Sequence, residues 1–128
     1  MIIPCEIAVK SVLPAVKALM AKQLIEKHGL KQDEAAEILG ISQSAVSKYT
    51  RKVRGYIIKI DDIQEIEPLI DKMIHSLVQG TYKRTDFLEF FCQTCRTIRK
   101  TTLMCQFCQK TDQRIKLEKC DFCTTPRI

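Results

Sequence analysis

The sequence predicts a mainly α-helical protein in which a helix-turn-helix domain is followed by a small cysteine-rich metal-binding module. Three observations carry this expectation. Residues 30–55 hold two short helical patterns separated by Gly40. Across residues 63–78 apolar side chains recur at spacings of three and four, which describes one helix face. Six of the seven cysteines form three C-x-x-C pairs between residues 92 and 123. A chain of 128 residues holds one ordinary domain, or a small one with an appendage stabilised by something besides a core.

In chain order, residues 4–10 suit a short helix that covers one end of the domain. Pro14 then falls in the first turn of a helix over about residues 13–28, where a missing N–H costs nothing. Val16, Leu19, Met20, Leu24 and Ile25 give that helix a broad apolar face. Ala15, Ala18 and Ala21 permit close approach, and Gly29 is a natural stop. His28 reads as a helix-end residue with no metal-spaced partner, and Cys5 as a small buried apolar residue.

Residues 32–39 form the next short helix. Gly40 takes the bend because it tolerates positive φ, and Ser42 caps a second helix running to about Val53. Ala36 lets the two helices cross closely, while Ile41, Val46 and Tyr49 supply the apolar side of the second. With these residues the segment resembles the helix-turn-helix of the Cro and phage-repressor class, the Xre type. The wider layout resembles archaeal-type transcriptional regulators in which such a domain precedes a cysteine-rich tail. The matching positions are Gln32 at the opening of the first helix, Ala36 and Gly40 at the small and bend positions, Gln43-Ser44 at the start of the second helix and Val46 at its buried position. The resemblance covers roughly the first half of the chain and is strong only over residues 30–55. It implies base-edge or phosphate contacts with double-stranded DNA from Gln32, Gln43, Ser44, Ser47 and Lys48.

The physical chemistry points the same way. A helix lying in the major groove presents its N-terminal residues, here Ser42, Gln43 and Ser44, to base edges, where glutamine pairs bidentately with adenine and serine with either partner. Residues 48–60 then carry five basic side chains, Lys48, Arg51, Lys52, Arg54 and Lys59, and no acidic one, as phosphate contacts require. The bland alternative is an ordinary helical hairpin with a solvated basic edge. The overall charge is +6, distributed as zero over residues 1–47, +5 over 48–60, −4 over 61–80 and +5 over 81–128. DNA is therefore expected at the second helix and at the tail rather than at the middle. No membrane span or secretory signal is legible, so a cytoplasmic protein is expected.

Residues 56–60 (Tyr-Ile-Ile-Lys-Ile) suit a strand or an extended connection, and Asp61 or Asp62 suits a cap for the next helix. Ile63, Ile66, Leu69, Ile70, Met73, Ile74, Leu77 and Val78 describe an amphipathic helix ending at Gly80, which either begins near Pro68 or kinks there. The stripe can pack on the amino-terminal helix or form a subunit interface. Because such proteins read two half-sites as two-fold dimers, a homodimer is predicted.

Residues 81–84 are a basic break and a plausible boundary, after which Thr85 or Asp86 caps a helix bearing Phe87, Leu88, Phe90 and Phe91. These three phenylalanines, with Phe107 and Phe122, are expected to line whatever the cysteines build. The pairs are Cys92–Cys95, Cys105–Cys108 and Cys120–Cys123, nine and eleven residues apart. Two such pairs can place four thiolates round one ion, and a tail with few aliphatics after Met104 needs a metal to fold. Zinc and an iron-sulfur cluster are both open: thiolates without histidine suit either, glycine and proline are missing from around the pairs, and the compact ferredoxin run is absent. The shorter loop favours Cys92, Cys95, Cys105 and Cys108 as the first four ligands. Cys120 and Cys123 are left for a cluster, a partner chain or a disulfide. Disulfides throughout the tail, as in a hyperthermophile cytoplasm, are a further alternative.

The chain thus divides into a DNA-binding helix-turn-helix domain over 1–60, a connecting or dimerisation helix over 61–80 and a cysteine-rich metal-binding domain over 81–128. The expected function is sequence-specific transcriptional regulation, with the tail sensing metal or redox state. The alternative is an adaptor whose zinc tail docks another protein of the transcription machinery. Enzymatic activity is not expected. No Ser/His/Asp arrangement, phosphate-cradling glycine loop or apolar carboxylate pair is present, and thioredoxin-like chemistry needs a βαβ context. His75 reads as a partly exposed helix residue.

Overall fold

The centre of the molecule is a helix that the sequence makes apolar on nearly every side. In the computed structural model, which describes residues 3–51, 58–80 and 83–124, this is α2 (Val12–Glu26). Val12, Ala15, Val16, Ala18, Met20, Ala21 and Leu24 are all buried in it. A helix apolar all round is stable only when neighbours cover each face. Here α1 (Pro4–Lys10), α3 (Gln32–Leu39), α4 (Gln43–Thr50), α5 (Glu67–Gln79) and α6 (Arg84–Lys100) all pack on it. Ser11 alone separates α1 from α2, its buried hydroxyl donating to the Ile7 carbonyl at 2.7 Å. Pro14, third in α2, lies in the first turn as expected.

The expected helix pair is present, although α4 ends at Thr50 with Arg51 in a turn, and Val53, where the sequence places its end, lies outside the described residues. The Gly40 bend has φ +67°, and the Gly40 and Ile41 N–H groups donate to the carbonyls of Glu37 and Ala36 at 3.3 and 3.0 Å. That closes the C-terminus of α3 and turns the chain toward α4. Ala35 and Ala36 on α3, and Ala45, Val46 and Tyr49 on α4, are the buried contacts.

Beyond α4, the described part of residues 56–60 is the extended connection rather than the strand, the two readings the sequence left open. Of residues 56–60, the first two lie outside the described residues. Ile58 and Ile60 are buried with Lys59 exposed between them, but no described segment pairs with them, and the chain turns at once, the Ile63 N–H donating to the Ile60 carbonyl at 3.0 Å. Asp61 and Asp62 do not cap the next helix. A 3₁₀ turn (Gln64–Ile66) leads into α5, which has no side-chain cap and carries Pro68 at its second position, so the helix begins there and is not kinked. Gly80, φ +67°, ends it as expected.

The centre of the α5 stripe is covered within the chain: Ile66, Ile70, Met73 and Ile74 are 1% exposed or less, packed between α6 and α2, whereas Ile63, Leu69 and Leu77 are partly buried and Val78 is exposed. The part of the stripe around Ile70 and Ile74 therefore packs inside the chain, as the first of the two sequence readings has it. Helix α6 starts from Lys83 with no side-chain cap, which places Thr85 and Asp86 inside its first turn. Its buried Ile98 joins the same apolar cluster as α2 and α5, and its buried Thr94 donates its hydroxyl to the Phe90 carbonyl at 2.8 Å. The tail closes with α7 (Cys105–Thr111) against α1, then α8 (Arg114–Leu117) and a turn through residues 120–124.

Candidate functional site

The open face of the helix pair is built by what the other face must bury. With Ala45, Val46 and Tyr49 turned inward, helical geometry leaves Gln43, Ser44 and Lys48 exposed, with Ser47 partly so. Ser42 is exposed at the N-cap, where its Oγ accepts from the Ala45 N–H at 3.1 Å. Its hydroxyl proton stays available to an acceptor such as a phosphate. Arg51 is exposed, its Nε donating to the Ser47 carbonyl at 3.3 Å, which lays the guanidinium back along α4. Gln32, partly buried, opens α3 beside Lys31, whose N–H donates to Glu34 Oε1 at 3.0 Å. Lys52 and Arg54 lie outside the described residues. On and beside α4, Ser42, Gln43, Ser44, Lys48 and Arg51 are thus exposed, away from the buried Ala45, Val46 and Tyr49.

The cysteines divide differently from their sequence order. Cys105, Cys108, Cys120 and Cys123 line one cavity of about 500 Å³, with Pro4 of α1, Met104 and Ile115 as apolar walls and Arg114 and Glu118 as polar ones. Cys92 and Cys95 stand on α6 outside that lining. Cys5 is exposed rather than buried, because α1 packs inward through Ile7 and Ala8. The phenylalanines divide too. Phe122 lines the thiol cavity, whereas Phe87 and Phe91 line a second groove between α2, α3, α5 and α6, and the Lys72 ammonium lies 5.5 Å from the Phe90 ring centre. Leu88, expected on the apolar face, is exposed.

Electrostatics link the two thiol groups through one residue the sequence did not single out. Arg99 Nε donates to Cys123 Sγ at 3.3 Å, and the guanidinium lies 5.8 Å from the Phe122 ring centre. Burial works to lower the Arg99 pKa. The hydrogen bond to Cys123 and the charges of Cys123, Cys95 and Cys5 nonetheless hold it above its ordinary value. Burial pushes the Cys95 thiol up, opposed by Arg99 and assisted by Cys5 and Cys92. Burial also raises Cys105 and Cys108, each pushed further by Cys123 and Cys120. One signal for Arg99 was present: a spacing of four from Cys95 puts both on one face of α6. No local signal brings Cys5 toward them.

Among the described residues no three His, Cys, Asp or Glu side chains already stand in an arrangement that could hold a metal ion. The donor set on the cavity still suits a thiophilic metal, with four sulfurs on one wall system and a cation hydrogen-bonded to one of them. Among the described residues no helix is long and apolar enough to cross a membrane.

Residues 22–67 match a family model described as helix-turn-helix, of the Cro/C1 type. The match spans α3, its bend and α4 and supports a DNA-binding regulator. No curated protein and no solved structure gives a significant match.

Proposed function

We propose that the protein is a sequence-specific regulator of transcription that binds double-stranded DNA as a homodimer and holds zinc or an iron-sulfur cluster in its cysteine-rich tail. The observation that carries the reading is α4: one side is locked into the core by Ala45, Val46 and Tyr49, and the other presents Gln43, Ser44 and Lys48 to solvent. A reading helix needs this division, because base contacts at its N-terminal end are specific only when the backbone behind them is rigid. Dimerisation follows from two-fold operator logic rather than from α5, whose Ile70, Met73 and Ile74 pack inside the chain.

Coupling between tail and reading head runs along α6. Its C-terminal half carries Cys95 and Arg99, and the helix packs on α2 and α5, with α2 in turn seating α4. When bound, the metal supplies a rigid cross-link between cysteine pairs. The residues of α6 and α2 then transmit a change in that cross-link as a shift of the α4 pair, altering operator affinity.

Selection of bound duplexes from a random pool tests the reading. A regulator enriches one site, symmetric for a dimer, that competes against random DNA by about a thousandfold or more. An adaptor enriches none and loses affinity only in proportion to salt.

A further inference from the structure

The third cysteine pair returns, across eleven intervening residues, to the cavity wall formed by the second, while the first pair stays on α6. We infer that Cys105, Cys108, Cys120 and Cys123 form one four-thiolate metal centre, with Arg99 as its hydrogen-bonding partner and Cys92, Cys95 and Cys5 outside it. The inference rests on the metal-binding reading of the tail and names the ligands within it.

Three features of the chain carry the assignment. The four sulfurs share one cavity that excludes Cys92 and Cys95. Cys105 opens α7 and Cys108 lies one turn later, so the two thiols share a helix face, with Cys108 buried and Cys105 partly exposed. The Cys120 N–H donates to the Ile115 carbonyl at 3.2 Å, folding the last pair back over α8. Backbone at the approach to each pair is also held against its preference. Thr102 and Lys119 have φ +67° and +53°, conformations that glycine adopts freely and that other residues adopt at a cost. The glycines usual around zinc-binding pairs are absent, yet the bends they would make are present.

The charge balance closes. Binding of a divalent cation by four thiols releases four protons to solvent and leaves a centre of net charge −2. The Arg99 guanidinium offsets one of these charges. By donating to Cys123 Sγ it also fixes that thiolate, as hydrogen-bond donors behind metal ligands do. Lysine at this position keeps the charge but loses the planar guanidinium and its Nε–H.

The test uses the full chain, reduced and stripped of metal, titrated with cobalt(II) and then zinc(II). One cobalt per chain is expected, with the charge-transfer absorption of four thiolate ligands. Cys92→Ser/Cys95→Ser is expected to keep that spectrum and stoichiometry. Cys105→Ser/Cys120→Ser is expected to lose it, with affinity falling by more than about a hundredfold, and Arg99→Gln to weaken binding about tenfold or more. Circular dichroism of each variant checks that the helices remain. Loss of the centre in Cys92→Ser/Cys95→Ser, or its retention in Cys105→Ser/Cys120→Ser, overturns the assignment while metal binding by the tail stands. A wild-type chain that takes up no cobalt, and no iron with sulfide when purified without oxygen, overturns both. A brown protein whose cluster survives only the first double substitution supports the same four ligands with iron in place of zinc.

Discussion

Arg99 and Cys123, 24 residues apart in sequence, meet through an Nε–H···Sγ hydrogen bond of 3.3 Å. The contact ties the last cysteine pair to α6, and through α6 to the helices that seat α4. Because it brings one fixed cation to a group of thiols partly withdrawn from water, the chemistry of those thiols should be legible in stability.

Burial raises Cys95, Cys105 and Cys108 above the ordinary cysteine range. In the unfolded chain such thiols ionise near about pH 8.5. As pH rises through that value the unfolded chain sheds protons that the metal-free folded chain keeps, so the folded state loses stability. Calorimetry on metal-free protein should show Tm falling between about pH 7 and about pH 10. Metal-loaded protein, whose ligands are already deprotonated, should instead weaken toward acid. A metal-free Tm that is flat across the alkaline range contradicts the thiol burial.

Ser42 combines two roles that substitution can separate. Ser42→Ala should cost about 1 kcal/mol, because the Ala45 N–H loses its acceptor. Ser42→Asp should keep the cap, since a carboxylate accepts the same N–H and suits a helix N-terminus. It should nonetheless weaken DNA binding, because it places a negative charge on the surface proposed to meet phosphates. Denaturant titration beside binding measurements checks both, and equal stability of the wild type and Ser42→Ala would remove the cap from the account.

Ile70 is fully buried between α5 and its neighbours. Ile70→Ala should cost about 2–5 kcal/mol. The denaturation midpoint should shift by the same amount at every protein concentration, because the face is internal. A shift that grows on dilution would return α5 to a subunit interface.

Lys119 bears the positive φ that precedes the last cysteine pair. Lys119→Gly should raise stability by about 0.5–1 kcal/mol, the relief of left-handed backbone exceeding the added chain entropy. Thermal melts of the metal-loaded protein check this, and a lower Tm would mean that the lysine side chain itself supports the turn.

Legibility of the fold in the sequence divides along physical lines. Residues whose role is settled by the chain within four or five positions were legible: Pro4 and Lys10 bound α1, Gln32 and Leu39 bound α3, Gly40 bends, Ser42 caps, and Gly80 ends α5. Roles set by packing at long range were not. Ile58 and Ile60 suit a strand or an extended connection equally well by sequence, and only the lack of a partner strand among the described residues decides for the connection. Leu88 and Phe87 are neighbours in sequence, and only the docking of α6 decides that Phe87 turns inward and Leu88 outward. On α4 the exposed set was foreseeable because one apolar face determines the opposite one. At the thiols it was not, since loop length favoured pairing Cys92 and Cys95 with Cys105 and Cys108, whereas the turn after α8 brings Cys120 and Cys123 to the cavity.

The claim that α4 reads sequence is tested most directly by measuring wild-type and Gln43→Ala affinities on the selected site and on every single-base variant of it. The account predicts a wild-type preference of about a thousandfold or more over random DNA, and a Gln43→Ala protein that loses about 1–3 kcal/mol of discrimination at one base position while keeping the rest. A uniform loss at all positions, or a wild-type preference below about tenfold, contradicts it.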